Sequence, residues 1–102
     1  MEATVSAVLP EEVGVSLQLA VTRGQLDQLR GNKVSILSIA DEPGKVQPWW
    51  MPQYTRYRFI VVPETDEAGK EMTDAVIIHH NDVPAELLAK FGSKMRLTLA
   101  IF

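Results

Sequence analysis

A chain of 102 residues, 46% of them hydrophobic, falls in the size range of a single domain and can bury one core without disulfides or metal. It has no cysteine, which excludes disulfides, thiolate metal sites and a cysteine nucleophile and fits a reducing compartment. A formal net charge of −3 disfavours broad electrostatic binding to nucleic acid.

No apolar run approaches the roughly 20 residues that span a bilayer. Met1-Glu2-Ala3-Thr4 lacks the basic start and long apolar stretch of a signal peptide, so a cytoplasmic location and no membrane partner are expected. The charge is unevenly placed. Between residues 20 and 60, six basic residues (Arg23, Arg30, Lys33, Lys45, Arg56, Arg58) face three acidic ones (Asp27, Asp41, Glu42). That local excess of +3 leaves −6 for the remainder and can create a basic patch on an acidic protein.

Taken in chain order, Thr4 to Leu9 is a short strand stopped by Pro10. Val13 to Val21 alternates, with Val13, Val15, Leu17, Leu19 and Val21 on one side, the pattern of a half-buried strand. Thr22 is placed to cap a helix in which Leu26 and Leu29 share a face, and Gly31 is a natural stop. Lys33 to Ala40 is a further strand, and Asp41-Glu42-Pro43-Gly44 is a turn signal. Two prolines keep Pro48-Trp49-Trp50-Met51-Pro52 out of a central strand. Tyr54 to Val62 reads as a strand ended by Pro63, and Glu64 to Glu71, which contains Gly69, as a hairpin connection. Thr73 to His80 is the next strand. Asn81 or Asp82 then caps a helix from about Pro84 to Phe91, Gly92 ends it, and Lys94 to Phe102 is the last strand.

The expected fold is therefore α+β: a small, mostly antiparallel sheet or partly closed barrel with two short helices, in the order β-β-α-β-β-β-α-β, within a single domain over residues 1–102. Spacing predicts a core of Val15, Leu17, Leu19, Leu26, Ile36, Tyr57, Phe59, Val61, Val76, Ile78, Leu87, Leu97 and Leu99. An internal echo at an offset of 61 sets Gln25-Leu26…Gly31-Asn32-Lys33 on Glu86-Leu87…Gly92-Ser93-Lys94, and Val15 and Leu17 on Val76 and Ile78. Convergence is the favoured reading, because a short helix ending at glycine before a strand is common. A true duplication would give two pseudo-symmetric units.

The cluster His79-His80-Asn81-Asp82 hints at metal binding or catalysis, but neighbouring strand residues point to opposite faces, so the two imidazoles do not converge on one ion. There is no nucleophile elbow and no phosphate loop. No enzyme activity, metal or cofactor is expected. The informative stretch is 49–59, which holds both tryptophans and both tyrosines. On a strand, Tyr54, Arg56, Arg58 and Ile60 would form an aromatic-basic stripe, with Trp49 and Trp50 beside it and Lys33 and Lys45 as flanking charges. Such a surface fits a protein-interface hot spot, or alternatively a module that stacks the bases of a single-stranded nucleic acid. The bland reading folds the tryptophans onto the core and leaves the arginines as solubilising charges. The leading expectation is a small non-enzymatic protein that binds another protein, of the accessory or inhibitor kind that phages and other mobile elements encode. The apolar last strand adds a homodimer, since an exposed edge of that kind must be paired within the sheet or across copies.

Overall fold

The computed structural model describes residues 1–9, 11–40 and 49–102. Pro10, the turn at Asp41–Gly44, Lys45 and Pro48 lie outside the described residues. The elements are β1 (Glu2–Leu9), β2 (Val15–Ala20), α1 (Arg23–Leu29), β3 (Lys33–Ala40), a 3₁₀ turn (Pro52–Arg56), β4 (Phe59–Thr65), β5 (Glu71–His80), α2 (Ala85–Leu88) and β6 (Arg96–Ile101). The order of strands and helices is the expected one.

All neighbouring strands are antiparallel, and the sheet closes on itself in the order β1-β2-β5-β4-β3-β6. The closure explains the safety of the last strand. β6 is paired with β1 on one side and β3 on the other, so its apolar residues present no free edge. Exchanging β1-β2-α1-β3 for β4-β5-α2-β6 leaves every pair of neighbours in the ring unchanged. The echo at offset 61 thus corresponds to two topologically equivalent halves.

Local chemistry accounts for the elements. Thr22 Oγ1 accepts from the Gln25 amide at 3.2 Å, and Gln25 Oε1 accepts from the Thr22 amide at 3.0 Å, a complete capping box. Leu26 and Leu29 then bury the inner face of α1. The period-2 residues Val15, Leu17 and Leu19 on β2 and Val76 and Ile78 on β5 fill the ring beside Phe59, Ile36, Leu97 and Leu99.

Several expectations need correction. Val13 lies outside β2 and is exposed, because β2 begins only at Val15, after the turn at Gly14. Pro63 lies within β4 rather than ending it. β3 pairs with β4 only at Lys33↔Ile60 and Val34↔Phe59, so beyond that point β4 is an edge and a missing amide donor is tolerated. The short pairing also leaves Val61 and Tyr57 half-buried rather than in the core. Neither Asn81 nor Asp82 caps α2. The N-cap is Pro84, without a side-chain bond, and α2 is only Ala85–Leu88.

Candidate functional site

The largest correction concerns residues 49–58. Tyr54 and Arg56 are not on a strand. Pro52 opens a 3₁₀ turn whose local bonds run from the Tyr54 amide to Met51 O at 2.9 Å and from Thr55 Oγ1 to Pro52 O at 2.7 Å. With its backbone satisfied locally, this segment does not need a ladder, and β4 starts only at Phe59. The stripe of Tyr54, Arg56, Arg58 and Ile60 on one strand face therefore does not exist.

Trp50 is not an exposed anchor either: it is 6% exposed and its Nε1–H donates to Ile36 O at 2.9 Å. Trp49 is half-buried, edge-on to Phe91 with ring centres 5.1 Å apart and to Trp50 at 5.6 Å. Tyr54 lies 5.2 Å from Trp50 and stacks towards Tyr57 at 6.4 Å, and Tyr57 meets His80 edge-on at 5.1 Å. These rings form a continuous aromatic cover along the edge that β3 exposes once β4 diverges. Arg56 is exposed with its guanidinium 5.2 Å from the Tyr57 ring centre. The ring faces that could stack bases are largely engaged with one another.

Arg58 and Lys33 belong to a different surface. Strand register sets Lys33 beside Ile60, Ile60 beside His79, and His79 beside Ser16. Lys33 also exchanges backbone hydrogen bonds with Phe102, whose ring lies 4.1 Å beneath the Arg58 guanidinium. Next to this row, Ile77 pairs with Val62 and with Gln18. The outer face of β2-β5-β4 thus carries an apolar centre of Ile60 (45% exposed), Val62 (39% exposed) and half-buried Ile77. Two shallow grooves of about 190 and 260 Å³ meet there and share Ile60 and His79. Arg58, His80, Asn81 and Asp82 line the first, and Glu11, Ser16, Val62 and Ile77 the second.

The histidines do point to opposite faces. His79 Nδ1 lies 2.6 Å from Ser16 Oγ, and its Nε2 lies 2.5 Å from Asn81 Oδ1. The amide oxygen only accepts, so the arrangement is satisfied by a ring that donates from Nε2 to Asn81 and accepts the Ser16 hydroxyl hydrogen bond at Nδ1. A hydroxyl, an imidazole and an amide in series resemble a nucleophile relay, but Ser16 is only 1% exposed. What this arrangement does on the visible surface is hold the His79 ring at a fixed angle between the two grooves. Among the described residues no group of three or more His, Cys, Asp or Glu side chains is placed to hold a metal ion.

His80 turns inward onto Tyr57 and Phe59, and its Nδ1 accepts from the Asp82 amide at 2.9 Å. Burial, aided by His79, pulls its pKa below the ordinary 6.5, against the opposing charge of Asp82. The unfolded chain therefore takes up this proton first as pH falls. The stability contribution is fully present above about pH 6.5 and is lost as the pH drops towards the lower folded value. Wild type should show a larger fall in urea midpoint between about pH 7.5 and about pH 5 than His80→Gln. Equal losses in the two proteins would show that His80 is not the group responsible.

Arg58 and Lys33 lie beside this face, and so do Val62, Ile77, Ser16, Glu11 and His79, which the sequence did not place with them. One signal was legible: in Phe59-Ile60-Val61-Val62 both alternate sets are apolar, so one of them must face outwards on a half-buried strand. Among the described residues no helix is long and apolar enough to cross a membrane. Comparison of the chain with protein-family models, curated proteins and solved structures finds no match in any of the three.

Proposed function

We propose that this protein is a non-enzymatic binding module that works by protein–protein contact through the outer face of β2-β5-β4. The observation that carries the reading is the exposure of Ile60 and Val62, with Ile77 beside them, around two grooves that share Ile60 and His79. An apolar centre rimmed by Arg58, Lys33, Glu11 and Asp82 has the anatomy of an interface, since large apolar side chains left together in water invite association. The near-complete covering of Ser16 supports binding over catalysis.

The alternative partner, a single-stranded nucleic acid held by segment 49–58, has exposed Arg56 and Arg58 in its favour and the engaged aromatic rings against it.

The test is affinity capture from an extract of the source organism, with and without nuclease, using wild type and the Ile60→Glu/Val62→Glu double variant. A nuclease-resistant protein held by wild type and lost by the double variant, with the two melting within a few degrees of each other, is the expected result. Equal capture by both would remove this face from consideration. A captured species that disappears with nuclease, and whose binding weakens steeply with salt, would favour the nucleic-acid reading instead.

A further inference from the structure

Resting on that reading, we infer that the partner on this face is a second copy of the same chain, related by a two-fold axis close to Ile60 and His79. The order of charges across the strands favours a second copy. The row Phe102–Lys33–Ile60–His79–Ser16 crosses β3, β4, β5 and β2 in turn. At the β3–β4 end lie two cations, Lys33 and Arg58, the latter seated over the Phe102 ring. At the β2 end lies Glu11, which lines the groove with Ser16, followed by the exposed Glu12. Between the two ends are Ile60, Val62 and Ile77.

Asp82 shares the first groove with Arg58, so two cations and one acid leave +1 at that end against −2 from Glu11 and Glu12 at the other, and a patch with this asymmetry around an apolar middle is complementary to itself. Rotation by 180° about its centre brings Lys33 and Arg58 of one copy to Glu11 and Glu12 of the other, twice over, and sets apolar centre on apolar centre. That is the requirement of an isologous interface. Charges of opposite sign arranged in this way set register and orientation more than they add affinity.

A standard interface takes about 800 Å² from each partner, a small share of the 5968 Å² that this chain exposes. The contact is face to face rather than edge to edge. The edge of β4 that β3 leaves open contains Pro63, which offers no amide donor to an added strand, and the chain continues into Glu64, Asp66 and Glu67, which would repel their own copies.

Sedimentation equilibrium over about 1–100 µM tests the inference, with circular dichroism melts confirming that each variant is folded. Wild type is expected to be dimeric at about 10 µM, and Arg58→Glu and Glu11→Arg should each weaken the dimer at least about tenfold. The combined variant should return to within about threefold of wild type, because the swapped charges meet across the two-fold axis. A wild-type monomer throughout the range overturns the inference, as does a combined variant no better than the two single ones. If wild type is monomeric while Ile60→Glu/Val62→Glu still loses a captured protein, the face binds a different protein and only the second copy is ruled out.

Discussion

Replacing Trp50 with alanine is expected to destabilise the protein by about 3–5 kcal/mol, read as the change in unfolding free energy from a denaturant titration. Three effects combine. The indole is 6% exposed and contacts Tyr54, Trp49 and Phe91 at ring separations of 5.2, 5.6 and 5.8 Å, so its removal takes apolar area out of the interior and leaves a cavity among rigid rings. Its Nε1–H donates to Ile36 O at 2.9 Å. That carbonyl lies on β3 beyond Val34, the last residue of β3 that β4 reaches, and without Trp50 it loses its donor in a dry environment. Trp50→Phe keeps most of the ring and removes only the donor, so it should lose about 1–2 kcal/mol. A change below about 1 kcal/mol for Trp50→Ala would mean that the indole is free to leave the core, and would return it to the list of surface anchors.

Gly14→Ala is the second large effect. Gly14 has a φ of +77°, where an L-residue is strained by about 1–2 kcal/mol. A Cβ there would lie 2.0 Å from His80 O and 2.6 Å from Asn81 Cα, backbone atoms that cannot swing away as a flexible side chain would. The turn before β2 must therefore separate from the end of β5, and Asn81 is the residue that orients His79. A total loss above about 2 kcal/mol is expected, accompanied by a change in the ring nitrogen resonances of His79. Gly31→Ala is the matched control. Its φ is also +77°, yet nothing lies within 4 Å of its Cβ position, so only the conformational part of the loss, about 1–2 kcal/mol, should remain. Similar losses at the two positions, with unchanged His79 resonances, would show that the turn does not brace the site.

Which parts of this protein are decided locally is clear from particular residues. The sequence by itself determined the number and order of the strands and the two α-helices, because these depend on neighbours a few positions away. Alternation of Val15, Leu17 and Leu19 marks an inward-facing strand whatever it pairs with. Thr22 and Gln25 close their capping box within one turn of helix, and Gly31 stops α1 because its own backbone permits the left-handed conformation. The opposite facing of His79 and His80 follows from the pleat of a strand in the same way. Arg58 was expected on a strand stripe with Tyr54 and Arg56, and Lys33 as a charge flanking it; that stripe does not form, and the two residues lie instead beside the outer apolar face.

Tertiary structure decided everything that depends on which strand lies beside which. Ser16 and His79 are 63 positions apart and meet only because β2 pairs with β5. The outward apolar set of Ile60, Val62 and Ile77 becomes one surface only when β4 and β5 are in register. Trp50 could be an anchor or a core residue on composition alone. Its fate was settled by the two-pair seam between β3 and β4, which leaves a carbonyl edge needing a donor and an apolar cover. The same seam explains why Tyr54 and Arg56 stay in a 3₁₀ turn. Their segment lies along the part of β3 that β4 does not reach, so local hydrogen bonds and ring packing, rather than alternation, set its shape.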